Sequence, residues 1–201
     1  MNPSPLPFQV RFHGRGGQGV VTAAELLSVA AFLEGRFSQA FPTFGSERAG
    51  APVAAFCRVA EREIRTRSPV SCPDALVVQD PTLLHQPELF AGLSAEGYVI
   101  INTSRSIDAL GLSGPLGWLR RERVVAVGAT ELALKHLGRP IPNAVLLGAL
   151  AGLCSVVSLD AICRAIDARF SATVAKANRI AATEAYGLVL QRPELSRASS
   201  D

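Results

Sequence analysis

The residues best placed to do chemistry are Gly14-Arg15-Gly16-Gly17-Gln18-Gly19, a turn between the apolar run Phe8 to Phe12 and a long helical pattern. Glycine permits positive φ and lets a ligand or a neighbouring chain approach the backbone without meeting a Cβ. The helix that follows offers unpaired N–H groups at its start, so the turn can hold a phosphate or another chain. Arg15 and Arg48 can each grip a phosphate or carboxylate with two nitrogens. Arg48 and Glu47 lie in a second polar turn, Gly45 to Pro52, where a solvated ion pair is the plain alternative. His13 abuts the glycine turn, either donating to a ligand or simply packed, while His85 and His136 fall on expected helices without partners in sequence.

No Ser-His-Asp order and no carboxylate pair emerges, so no catalytic residue is assigned to this chain. Cys57, Cys72, Cys154 and Cys163 lie far apart, with no Cys-x-x-Cys pair and no His at ligand spacing. Metal or iron–sulfur ligation by this chain alone is therefore not expected. Gly14, Gly16 and Gly19 formally match the dinucleotide fingerprint, but Phe37 to Phe44 holds no acidic residue for a ribose. An independent Rossmann-like dinucleotide-binding oxidoreductase is the alternative reading, and the missing acid weighs against it. A P-loop is excluded because Lys and Ser or Thr do not follow Gly19.

The elements that must position these residues follow from composition and period. The chain has 201 residues, 48% of them hydrophobic and 18% charged, enough for one sizeable core. So high an apolar share with so little charge leads us to expect apolar surface buried against partner subunits. A net charge of +3, with basic residues scattered, gives nucleic-acid binding little support. With no secretory leader seen after Met1, the chain is expected in the reducing cytoplasm with its cysteines as thiols. The apolar run Ala144 to Leu159 falls short of the about 20 residues a membrane span needs and reads as a buried helix.

Phe8 to Phe12 alternates as a half-covered strand, and Val20 to Glu34 carries a helical apolar stripe that Gly35 would stop. Phe37 to Phe44 is a short aromatic segment broken by Pro42. Val53 to Val59 and Arg62 to Arg67 read as a hairpin joined at Ala60-Glu61. Ala75 to Val78, Tyr98 to Asn102 and Val124 to Val127 are apolar runs of strand length, each ending in a polar turn. A helical stretch from Thr82 to Phe90 and a helix after Thr130 are expected, then helices over Asn143 to Val157, Leu159 to Arg169 capped by Ser158, and Ser171 to about Leu190. The fold expected is α/β: one three-layer domain over residues 1–190, with a mostly parallel sheet, a hairpin insertion and a helical last third. Residues 191–201 are expected to form a flexible tail.

The run Phe12-His13-Gly14-Arg15-Gly16-Gly17-Gln18-Gly19-Val20-Val21 resembles the gamma subunits of 2-oxoacid:ferredoxin oxidoreductases, of the pyruvate and branched-chain 2-oxoacid branch. So does Gln39-Ala40-Phe41-Pro42-Thr43-Phe44-Gly45-Ser46-Glu47-Arg48-Ala49-Gly50-Ala51-Pro52. Ile64-Arg65, Val77 to Leu84, Ile100 to Thr103 and the Pro142-Asn143 helix start match in register, so the resemblance spans about Phe8 to Leu190.

The resemblance implies a complex that oxidatively decarboxylates a 2-oxoacid with coenzyme A to an acyl-CoA, carbon dioxide and low-potential electrons, in anaerobic metabolism. Pyruvate, branched-chain 2-oxoacids and aryl glyoxylates such as phenylglyoxylate are the substrates it allows. It places thiamine diphosphate with Mg and 4Fe-4S clusters on partner alpha, beta and delta-type subunits, with ferredoxin as acceptor, or NAD through an added FAD subunit. For this chain it implies a part in assembly, with the glycine turn and the Glu47-Arg48 loop packed toward the other subunits near the coenzyme A or thiamine region, in contact either with coenzyme A or only with a neighbouring chain. Gly14, Arg15, Gly16, Gly17, Gln18, Gly19 and Arg48 are the cofactor-facing candidates, and Phe41, Pro42, Phe44, Glu47, Arg48, Ala51 and Pro52 the interface.

Overall fold

The alternation that begins at Phe8 runs further than the apolar residues alone suggest, because β1 (Phe8–Arg15) keeps its ladder through the first two residues of the glycine stretch. A computed structural model describes residues 7–43 and 50–192. Phe44, Glu47 and Arg48 of the second turn, and the expected tail from residue 193 on, lie outside the described residues. After β1 come α1 (Val20–Leu33), β2 (Phe37–Pro42), β3 (Pro52–Ala60), β4 (Ala75–Val78), β5 (Tyr98–Asn102) and β6 (Val124–Val127). Four helices complete the chain: α2 (Ala129–Leu137), α3 (Asn143–Cys154), α4 (Leu159–Arg169) and α5 (Ala172–Leu190). The expected stop after α1 is met, with Gly35 at φ 78°.

The strands form one sheet in the order β2-β3-β1-β4-β5-β6. β1, β4, β5 and β6 are mutually parallel, whereas β3 is antiparallel to both β1 and β2, so β3 alone runs against the other five. The hairpin is therefore β2 with β3, and the expected pairing of Val53 to Val59 with Arg62 to Arg67 is corrected. Both edges of β3 are already filled, leaving no ladder for a further strand. Arg58, 3% exposed on β3, instead donates to the carbonyls of Thr66 and Ser68 and holds that segment as an irregular cover.

Side-chain alternation divides the core in two. Val10, Phe12, Ala75, Val77, Ile100 and Val125 face a helical layer built from α1 to α5. Leu76, Val78, Val99 and Ile101 face Leu89, Leu93, Leu112 and Leu116 on the opposite side. That third layer is made of loops and 3-10 turns, including Pro81–His85 and Pro87–Phe90 in place of the continuous helix expected over Thr82 to Phe90. A proline at position 87 has no N–H to give and would clash with a preceding helical turn, so an α-helix is not expected to run through. Arg11, a buried β1 residue on this side, donates to the carbonyls of Leu89 and Ala91 and fastens the turn to the sheet. Burial lowers the pKa of Arg11 and Arg58 from the usual arginine value.

In the helical layer α3 is buried all round and lies against α5, where a Cβ on Gly148 would sit 2.0 Å from the Ala182 carbonyl oxygen. α3 ends at Ser155, in the left-handed region at φ 52°, rather than reaching Val157. The Val156 carbonyl then accepts from Arg36. Ser158 caps α4 as expected, accepting from the Ala161 N–H at 3.1 Å, whereas Ser171 occupies the N-cap position of α5 without a side-chain bond.

Candidate functional site

At the carboxyl edge of the sheet β1 passes into the glycine turn, and its parallel neighbour β4 passes into Gln79-Asp80-Pro81. Gln18 folds back over the turn: its Oε1 accepts the Arg15 main-chain N–H at 2.8 Å and its Nε2 donates to Asp80 Oδ2 at 2.8 Å. Asp80 Oδ1 accepts the Thr82 N–H at 2.9 Å and the Thr82 hydroxyl at 2.6 Å. Arg15 closes the ring, with Nε 3.2 Å from Asp80 Oδ2, Nη2 donating to Thr82 Oγ1 at 2.7 Å and Nη1 to the Gly50 carbonyl at 3.0 Å. Gly16 N–H donates to the Ala51 carbonyl at 2.9 Å, which ties the turn to the end of the second polar loop. Burial raises the Asp80 pKa, but hydrogen bonds from Thr82 and Gln18 and the charge of Arg15 outweigh it and hold the carboxyl below its ordinary value.

This arrangement answers the dinucleotide question in structural terms. The strand beside β1 is β4, not the segment after α1, and it does end in an acid, Asp80. Both oxygens of that acid are taken by Gln18, Thr82 and Arg15, so it locks the turn instead of offering itself to a ribose hydroxyl. Asn102, at the end of β5, continues the lock by donating to the Gln79 carbonyl and to Thr130 Oγ1, each at 2.8 Å, and accepting the Thr130 N–H at 3.0 Å. Gln79 itself is 1% exposed, and neither polar atom of its side chain has a partner among the described residues.

His13 packs beside the turn with Nε2 buried and, among the described residues, unpartnered, and burial followed by the charge of Arg11 lowers its pKa to about 4. It is a neutral, packed ring at neutral pH. Phe41 lies on β2, 5.2 Å from the Phe56 ring centroid, with the Arg58 guanidinium 5.2 Å above it. Pro42 ends the same strand, and Ala51 and Pro52 open β3 beside Arg15. The structure places Ala51 and Pro52 against the glycine turn, whereas Phe41 and Pro42 lie two strands away on β2, level with Arg11 and Phe12 of β1. Sequence reasoning named the Gln79-Asp80 turn as polar but did not pair it with Gln18 and Arg15, since that pairing depends on which strand adjoins β1. Among the described residues no group of three or more His, Cys, Asp or Glu side chains gathers to hold a metal, and the four thiols are dispersed over β3, a loop, α3 and α4. No helix among the described residues is long and apolar enough to cross a membrane.

The family model described as pyruvate ferredoxin/flavodoxin oxidoreductase matches residues 9–188, which takes in β1, the locked turn and nearly all of α5. The chain belongs to the pyruvate ferredoxin/flavodoxin oxidoreductase family. Within it, the chain is 47% identical over 180 residues to the pyruvate/ketoisovalerate oxidoreductases common subunit gamma of Pyrococcus furiosus, covering 89% of this chain and 95% of that one. It is 49% identical over 160 residues to the pyruvate synthase subunit PorC of Methanosarcina barkeri, covering 80% and 85%. The crystal structure of the pyruvate oxidoreductase subunit PORC of Thermotoga maritima superimposes with a TM-score of 0.78 at 36% identity, over 90% of this chain and 96% of that one. The expected resemblance to gamma subunits of this family, and the α/β fold, are borne out.

Proposed function

We propose that the chain is the gamma subunit of a cytoplasmic 2-oxoacid:ferredoxin oxidoreductase complex, assembled with alpha, beta and delta-type chains. The complex converts a 2-oxoacid and coenzyme A to acyl-CoA and carbon dioxide, releasing two electrons and a proton, with ferredoxin taking the electrons singly. The observation that carries this reading is the near full-length agreement with gamma subunits, 47% over 180 residues. Pyruvate and ketoisovalerate are the first substrates to try. Thiamine diphosphate and iron–sulfur clusters, when bound on the partner chains, supply carbanion stabilisation and single-electron transfer. This chain's own thiols do not suit a cluster: they share no site, and burial pushes the Cys57 and Cys154 thiols up, the latter to about 12.

The part left to this chain is shape and contact. The locked turn with Ala51 and Pro52 beside it, and Phe41 and Pro42 on β2 of the same sheet, supply the surface toward the partner subunits, and Arg48 is the side chain assigned to coenzyme A. Arg15, with all three nitrogens engaged, serves by holding the turn. Large apolar side chains left in water, Phe32 at 71% and Trp118 at 45%, support burial against other chains.

Co-purification of the partner subunits with a tagged chain tests this. Gly19 is at φ 75° and a Cβ there would lie 2.8 Å from Asn143 Nδ2, so Gly19→Val distorts the turn and should abolish co-purification. Gly35→Val imposes similar backbone strain at the other end of α1, at φ 78° with open space around it, and should leave assembly intact. Equal assembly by both variants would contradict the proposal.

A further inference from the structure

On one side the sheet ends at β2, and the direction of its main-chain groups follows from a single bond. Thr43 N–H donates to the Ala54 carbonyl at 2.9 Å, and the antiparallel register counted back from that pair makes Phe41, Gln39 and Phe37 the residues bonded to β3. Ser38 and Ala40 therefore turn their N–H and C=O groups away from the sheet, where no strand meets them among the described residues. Pro42, at the next outward position, has no N–H to offer and closes the open stretch. β2 carries no charged side chain, the usual device that keeps an open edge from pairing.

Apolar side chains flank this edge on both faces. The Ser28 hydroxyl of α1 donates to the Ser38 hydroxyl at 2.9 Å, and Phe32 stands one turn further along the same side of α1. Phe32 is 71% exposed. Because successive strand residues point to opposite faces, Phe37 lies on the other side of the edge from Ser38, and it is 48% exposed.

The rim beside Phe37 is basic. Phe37 pairs with Ala60, and Arg36 Nε lies 2.9 Å from Glu61, which brings the segment after β3 to this corner. Over Glu34 to Phe37 and Arg58 to Arg67, five arginines stand against three glutamates. Glu61 is taken by Arg36, Glu63 by Arg65 at 3.2 Å, and Glu34 accepts the Ser158 N–H. Arg62 and Arg67, both exposed, have no ion pair among the described residues. Under them the buried Arg58 guanidinium is answered by the neutral oxygens of Gln9, Thr66 and Ser68, so its charge adds to theirs.

An open uncharged edge, apolar flanks and a basic corner describe an extended segment that carries acids at one end. A second copy fits less well, because twofold antiparallel pairing of β2 with itself sets the basic corner of each chain against Phe41 and Pro42 of the other, where β2 has no acid. We propose that an acidic, extended segment of a partner subunit adds to β2 as a further strand, bonded to the main chain of Ser38 and Ala40, its apolar residues on Phe32 and Phe37 and its acids at Arg62 and Arg67. The inference rests on the complex proposed above, and it carries the surface at Phe41 and Pro42 along the whole of β2.

Amide hydrogen exchange at single-residue resolution, on the full chain alone and in the assembled complex, reads the edge directly. The Ser38 and Ala40 amides should slow by about tenfold or more on assembly, and those of Gln39 and Phe41, already bonded to β3, should change less. Arg62→Glu with Arg67→Glu should weaken capture of the partner subunits by about tenfold or more at low salt while the melting temperature of the free chain holds, and Arg62→Lys with Arg67→Lys should restore capture. If the wild-type chain captures no partner subunit, the complex itself is refuted and this inference with it. If the complex forms but Ser38 and Ala40 exchange as fast as in the free chain, or the charge-reversed variant captures partners as the wild type does, the edge pairing alone is overturned. Slow exchange at both amides in the free chain, with the mass of a dimer, would give the edge to a second copy and overturn it too. So would normal assembly of the charge-reversed variant with a raised KM for ferredoxin, which would make the corner a docking site for the carrier.

Discussion

Asp80 receives two bonds from Thr82, one from Gln18 and the charge of Arg15, and this concentration of donors makes the glycine turn a fixed object. His13, one residue before the turn, carries a pH signature of the same packed region. Its folded pKa of about 4 lies below the ordinary 6.5, so between these values the unfolded chain binds a proton that the folded chain excludes. Stability from His13 is complete above about pH 6.5 and is lost as the pH falls toward 4, by on the order of 3 kcal/mol in all. Denaturant unfolding of the chain and of His13→Phe at pH 7 and pH 4.5 should show a smaller loss on acidification in the variant; identical losses would remove the buried-histidine account. At this scale the turn itself was legible, because glycine spacing before a helical pattern has few other uses. Its lock was not, since Gln18 and Asp80 meet across 62 positions of sequence and only the parallel pairing of β1 with β4 joins them.

Among the elements, α3 and α5 set the helical layer, and their spacing rests on Gly148. The Ala182 carbonyl oxygen stands where a Cβ would go, 2.0 Å away, so Gly148→Ala must push the two helices apart. That overpacking should cost roughly 2 kcal/mol or more, read as a drop in the denaturant midpoint at unchanged slope; a cost under about half a kilocalorie per mole would show that the helices yield. Strand positions were readable where apolar runs end in polar turns, as at Val78, Asn102 and Val127. Arg62 to Arg67 misled because alternation reports one covered face and not a free partner, and β3 had none to give. Pro87 was visible in the sequence, yet the apolar content of the stretch outweighed its steric effect in the reading of a helix there.

For the molecule as a whole, two long motifs at fixed spacing carry the family in the sequence, whereas the cavity behind the turn, about 580 Å³ on its helical side, does not show in sequence at all. Its wall is drawn from five helices and their connections, and no single segment carries enough of it to be noticed. What unites the two features is α1, whose first residues face the locked turn on one side and the cavity on the other. The account makes this chain a non-redox part without which the partner subunits do not form a working enzyme. Pyruvate-dependent ferredoxin reduction in the presence of coenzyme A, measured on the partner subunits reconstituted with and without this chain, tests that most directly. The account predicts acyl-CoA formation and reduced ferredoxin only when the chain is included, with Gly19→Val failing to substitute for it. Full activity of the partner subunits in its absence would contradict it.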